Sequence, residues 1–205
     1  MSPIRSGRAR KSIIWLALAI AVIVPIGAAA ASPLLAWRDP VYIAAGFAGV
    51  FAMAVLLVQP LLAAGYLPGL DGARGRYAHR WIGGLLVAAV AFHVAGLWIT
   101  SPPDVIDALL FRSPTPFSAW GVIAMWALVA TGLIAVLRRR LKLRPRTWRH
   151  AHMSLALVVV AGSIVHALLI DGTMETISKF ALCAMVLAAT VKAVAGLSGW
   201  AGSRR

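Results

Sequence analysis

An all-α membrane protein, built as a six-transmembrane-helix bundle with both termini cytoplasmic, is predicted by three features of the sequence. Of 205 residues, 61% are hydrophobic and 13% charged, whereas a soluble domain is nearer half apolar and a quarter charged. The apolar residues fall into six runs, each long enough to cross a bilayer. Between the runs, clusters of arginine and lysine alternate with short acidic connections.

A helix rising 1.5 Å per residue needs about 20 residues to cross a hydrocarbon core of about 30 Å. Runs that meet this length lie at Ser12–Ser32, Val41–Leu67, Tyr77–Ile99, Ser118–Leu137, His150–Ile170 and Ile177–Trp200. Nothing alternates with period two, so no barrel strands are expected. The first run has a rival reading as a signal peptide, since a basic start and an apolar core end in the small residues Ala28 to Ser32. It is longer than a typical signal core and is read as a span. The chain thus divides into a basic cytoplasmic N-terminus (1–11), a membrane domain (12–200) and a short cytoplasmic tail (201–205). Pro25 and Pro60 fall inside spans, where neighbouring helices tolerate the kink. Trp37, Trp81, Trp98, Trp120, Trp148 and Trp200 lie near span ends, the ordinary place for interfacial tryptophan. Cys183, the single cysteine, excludes an intrachain disulfide and a thiolate metal cage, and reads as a small buried hydrophobe.

The net charge of +14 does not point to nucleic acid, because the basic residues sit between apolar runs rather than on an exposed domain. They act as topology signals. Arg5, Arg8, Arg10 and Lys11 precede the first span, Arg74 and Arg76 the third, and Arg138 to Arg149 supply seven cations between the fourth and fifth. The alternate connections carry Arg38 with Asp39, Asp104 and Asp107 with Arg112, and Asp171 with Glu175. By the positive-inside rule the basic loops and both termini face the cytoplasm, as in a bacterial inner (plasma) membrane protein whose first partner is the lipid bilayer. Lys192 is expected to snorkel to the same surface.

The five histidines are His79, His93, His150, His152 and His166. Ionisable residues inside a membrane are costly, so their default reading is functional. His79 and His93 are 14 residues apart on the third span; His152 and His166 are 14 apart on the fifth. Fourteen steps of about 100° end about 40° short of four turns, so each pair shares one helix face, about 21 Å apart along the axis. Both spans run outward, which sets His79 level with His152 and His93 level with His166. Each level then offers two imidazoles from parallel helices, the requirement for bis-histidine ligation of a haem between them. Two b-type haems, at separate depths, are expected. One haem, or none with the histidines hydrogen-bonded or snorkelling, are the alternatives. His150 lies about 160° around from His166 and is placed at the interface, with replacement of His152 as the other possibility. Gly83, Ala89 and Gly162, each one turn from a histidine, leave room for a flat macrocycle or else mediate close helix packing.

With His79-Arg80-Trp81-Ile82-Gly83 followed by His93, then Trp148 with His152 four residues on, and His166, the chain resembles the ferric-reductase-like transmembrane domain, the haem-bearing six-helix part also found in NADPH oxidases and iron-chelate reductases. The resemblance implies one-electron relay across the membrane, with His79, His93, His152 and His166 as haem ligands. Members that use nicotinamide cofactors carry a flavin and nicotinamide module after the last span; this sequence ends at Arg205 and has no glycine-rich nucleotide loop. No flavin or nicotinamide site is therefore expected in the chain, and electrons are expected from a separate flavoprotein or from quinol, bound for an acceptor outside, which could be a periplasmic protein. A haem subunit feeding a periplasmic reductase such as methionine-sulfoxide reductase is the alternative, although His79 supplies a fourth ligand position beyond that subunit's pattern. A haem-free scaffold or transporter is the third reading. Arg76, Arg80 and Arg149 are candidates to pair with inner haem propionates, or else serve topology and anionic lipid.

Overall fold

A computed structural model describes the backbone of residues 3–202 and the side chains of residues 7–196. Among the described residues there are seven α-helices, a 3-10 turn at Pro33–Leu35 and no strand. The helices are α1 (Pro3–Ala30), α2 (Pro40–Ala63), α3 (Gly72–Thr100), α4 (Pro102–Leu109), α5 (Pro116–Leu137), α6 (Pro145–Leu169) and α7 (Thr176–Gly202). All but α4 are long and apolar enough to cross a membrane, and the chain is a multi-pass integral membrane protein.

Proline marks the starts. Pro40, Pro102, Pro116 and Pro145 occupy first-turn positions, where the missing N–H costs nothing. Asp39 caps α2 by accepting from Val41 N at 2.7 Å and Tyr42 N at 3.3 Å. Glu175 accepts from the backbone of Ile177 and Ser178 and so caps α7.

Two boundaries differ usefully from the hydropathy reading. Helix α3 begins at Gly72 rather than near Tyr77, and α6 at Pro145 rather than at His150. The extra turns carry Arg74 and Arg76, or Arg146 and Arg149, which lower the mean hydropathy yet continue the helix with their heads in water. His79 and His152 each lie seven residues into a helix as a result. The short α4 was not expected, because eight residues with two aspartates resemble a polar loop. It buries Val105 and leaves Asp104 and Asp107 exposed.

Two antiparallel hairpins form the body. Helix α2 packs along α3, and α5 along α6; α7 lies against α2 and α6, with α1 outside on α7 and α2. Helices α2 and α7 are the most buried spans, and Val55, Leu56 and Leu57 of α2 join Leu182 and Val186 of α7 in the core. Outward, α1 presents Ile13, Leu16, Ile20 and Ile23, each more than half exposed. That pattern is costly in water and ordinary in lipid. Cys183 is buried and unpaired, in keeping with its reading as a small hydrophobe. Pro25 and Pro60 lie within α1 and α2. At the acidic end, the loop before α7 seats Thr173 against Gly46 of α2, and the buried Lys179 ammonium donates to Ile170 O at 2.8 Å.

Candidate functional site

Helices α3 and α6 each pack mainly on their own hairpin partner, and between them imidazoles meet in pairs. The ring centres of His79 and His152 are 6.1 Å apart with planes at 68°; those of His93 and His166 are 6.4 Å apart at 78°. All four rings are half-buried. The sequence intervals thus bring together the four residues they singled out, in the two couples they specify. His150 is exposed, turned away from both couples.

Each imidazole is aimed by what its other nitrogen meets. His93 Nδ1 lies 2.7 Å from Ala45 O on α2, and His166 Nδ1 lies 2.9 Å from Phe117 O on α5. His79 Nδ1 lies 3.3 Å from Gln59 O, again on α2. A carbonyl oxygen only accepts, so Nδ1 must donate, which leaves the Nε2 lone pair free for a metal. This is the outer hydrogen bond that fixes the ring of a metal-bound histidine.

Glycine lies beside the two shorter bonds, those of His93 and His166, whereas Ala63 holds the corresponding place beside the Gln59 carbonyl. In a helix the carbonyl of residue i already points at the N–H of residue i+4, and the Cβ at i+4 crowds sideways access to it. Four residues after Ala45 is Gly49, and four after Phe117 is Gly121. A Cβ on Gly49 would lie 3.1 Å from His93 Nδ1, and one on Gly121 2.7 Å from His166 Nδ1. The arrangement repeats through the chain: 72 residues separate Ala45 from Phe117 and Gly49 from Gly121, and 73 separate His79 from His152 and His93 from His166. The two hairpins are therefore copies of one carbonyl, glycine and histidine device, facing each other across the gap.

The repeat is broken once. The register that relates Ala45 to Phe117 relates Gln59 to Thr131, but His152 does not meet the Thr131 carbonyl as His79 meets that of Gln59. Among the described residues His152 Nδ1 is buried without a hydrogen-bond partner. Trp148 stacks on that ring instead, with centres 5.3 Å apart and planes at 19°. It is more than an interfacial tryptophan.

Several details lay outside the sequence reading. Of the two readings open for Gly162, close packing holds: a Cβ there would lie 3.0 Å from Ala124 Cβ and from Trp120 O, so it serves the packing of α6 on α5. Gly83 likewise faces Gln59 of α2, and Ala89 is in the core. Ala45, Gly49, Gln59, Phe117 and Gly121 were missed; the 72-residue repeat is the signal that relates Ala45 to Phe117 and Gly49 to Gly121, and Gln59 has none. Arg76, Arg80 and Arg149 are exposed. Lys192 holds its ammonium 4.9 Å from the Tyr66 ring centre at the basic end. Trp37, Trp81, Trp98 and Trp120 are exposed, as interfacial residues are; the Trp200 side chain lies outside the described residues.

Among the described residues no three His, Cys, Asp or Glu side chains gather into a cage for a bare ion. Paired imidazoles instead suit a metal whose other positions are already filled. No curated protein and no solved structure matches the chain. The family model described as the ferric reductase like transmembrane component matches residues 45–163, from the residue whose carbonyl holds His93 to a point three residues short of His166. With that match covering more than half of its length, the chain belongs to the ferric reductase-like transmembrane family.

Proposed function

We propose that the chain is a membrane b-type cytochrome relaying single electrons across the bilayer through two bis-histidine haems, held by His79 with His152 and by His93 with His166. The family carries the coarser part, a role in transmembrane electron transfer. One observation carries the rest, the spacing of the rings. Two imidazoles holding one metal by bonds of about 2.0–2.1 Å, with each ring centre about 1.15 Å behind its nitrogen, would have ring centres at most about 6.3–6.5 Å apart. The observed separations are 6.1 and 6.4 Å. A bound haem would supply an iron that cycles between ferric and ferrous.

The chain's own residues do the rest of the work. The carbonyls of Ala45, Phe117 and Gln59 keep the proton on Nδ1 of their histidines and turn Nε2 into the gap. Two imidazoles would hold each haem, which would favour electron relay over oxygen binding. Fourteen helical residues set the two levels about 21 Å apart along the helix axes, so an electron passing between them would cross part of a field worth about 2.3 kcal/mol per 100 mV for a full crossing. Arg74, Arg76 and the 138–149 cluster at one end, against Asp39, Asp104, Asp107, Asp171 and Glu175 at the other, support an orientation with the basic end and both termini in the cytoplasm. Electrons then enter at the His79–His152 level from a flavoprotein or quinol donor and leave from the His93–His166 level.

Haem content of the purified chain tests this. Two b-type haems per chain, by absorption of the pyridine adduct, are expected; one haem or none overturns the reading.

A further inference from the structure

Three of the four imidazoles are anchored by a carbonyl, and the fourth is not. His152 Nδ1 is buried without a partner among the described residues, and so is Nε1 of Trp148 beside it. A buried polar group left unpaired calls for an explanation, and here neither ring is held by a hydrogen bond. What holds them is a stack. Trp148 lies one turn before His152 on α6, the spacing at which helical side chains meet, and covers the imidazole nearly flat at 5.3 Å and 19°. On the indole lies the Arg138 guanidinium, 5.0 Å from the ring centre, contributed by the C-cap of α5.

The geometry points to Trp148 as the positioning residue of the inner haem ligand, clamped by Arg138 and pressing the His152 ring into the plane from which Nε2 reaches the iron. The inference rests on the proposed haem reading and deepens it. The torsion that turns an imidazole about its Cβ–Cγ bond is soft, with broad minima. At His79, His93 and His166 a hydrogen bond to a neighbouring helix stiffens that torsion; at His152 the flat face of the indole does. A cation over the indole adds its own attraction and ties the stack to the basic end, where α5 stops. The inner level is the softer of the two in consequence. His79 across from it has the longest of the three carbonyl bonds, 3.3 Å against 2.7 and 2.9 Å, and its fourth ligand depends on an aromatic ring.

The test compares the purified full-length chain with Trp148→Phe, which keeps a flat ring, and Trp148→Leu, which keeps bulk without one. The readouts are haem per chain, the low-spin fraction, and the absorption change of the reduced protein under carbon monoxide, which binds iron that an axial ligand has left. Wild type and Trp148→Phe are expected to hold two low-spin haems with no carbon monoxide response. Trp148→Leu is expected to release or open one haem, retained about two- to twelvefold more weakly, as the loss of one aromatic stack implies, while the other stays low-spin. Equal low-spin fraction and equal carbon monoxide response in Trp148→Leu and Trp148→Phe overturn the inference with the haem reading intact. Absence of haem from the wild type overturns the haem reading itself, and the inference with it. Should Trp148→Leu lose both haems, Arg138→Gln, which removes only the clamp, decides: a carbon monoxide response from one haem supports the inference, and none overturns it.

Discussion

Replacing Gly121 with alanine would set a methyl carbon 2.7 Å from His166 Nδ1, 3.0 Å from Cε1 and 3.3 Å from Cγ. Non-bonded heavy atoms rest at about 3.5 Å or more, so the ring must retreat by about 0.8 Å. Retreat from the methyl carries the ring away from α5 and off the Phe117 carbonyl that it meets at 2.9 Å; the bond then exceeds the usual limit of about 3.2 Å. Losing it costs about 0.5–1.5 kcal/mol, and forcing a methyl into a filled space about 1–3 kcal/mol more. Together these weaken outer haem retention by about 1.5–4.5 kcal/mol, roughly ten- to two-thousandfold. The assay is haem per purified chain before and after exposure to a soluble haem scavenger. Gly84→Ala and Gly132→Ala serve as controls, since a Cβ at either position meets nothing within 4 Å. If Gly121→Ala kept both haems as tightly as these controls, the argument that glycine uncovers the ligand-holding carbonyl would be wrong.

The other expectations grade the same site and its surroundings. Gly49→Ala, with its methyl 3.1 Å from His93 Nδ1, needs a shift of only a few tenths of an ångström and should weaken outer haem retention less than Gly121→Ala does; the reverse order in the scavenger assay would contradict the geometry. His93→Ala or His166→Ala should each remove one haem and leave the other, with His79→Ala or His152→Ala removing the complementary one, as read from the reduced absorption bands; loss of neither haem in a histidine variant refutes its ligand role. Lys179→Ala deprives the Ile170 carbonyl of its 2.8 Å donor and opens a gap at the head of α7, so it should cost about 1–3 kcal/mol of stability, seen as a lower melting temperature in detergent. Asp171→Asn should change that temperature little, because the 3.6 Å ion pair has a carboxylate 95% exposed and such pairs contribute at most about 1 kcal/mol. Equal effects of the two would mean that the ion pair, not the carbonyl, holds the lysine.

The six membrane helices were legible because any segment facing lipid must be apolar along its whole length, which leaves a signal about 20 residues wide. Their basic first turns were not, since arginine lowers hydropathy without breaking a helix, and α3 and α6 proved longer than their apolar cores. The histidine couples were readable for a similar reason: helical periodicity converts a 14-residue interval into one face and a known depth. The groups that aim those histidines left no such mark. Their acceptors are backbone carbonyls of Ala45, Gln59 and Phe117, and a carbonyl has no residue type. Gly49 and Gly121 are two glycines among 18, noticeable only once the hairpins are laid over each other. Gly162 left two readings open because a small residue beside a histidine looks the same whether it faces a cofactor or, as here, Ala124 of the next helix. Trp148 stood at a span end where tryptophan is ordinary, and only its stack on His152 sets it apart.

Electron paramagnetic resonance of the oxidised, purified chain tests the ligation most directly, because the signal of low-spin ferric haem reports the mutual angle of its two axial rings. The imidazole planes cross at 68° and 78°. Two low-spin ferric centres are expected, each with the strongly anisotropic, single-feature signal that nearly perpendicular rings produce. A high-spin signal at both sites, or no haem iron signal at all, would show that these four histidines do not grip iron in pairs across the two hairpins.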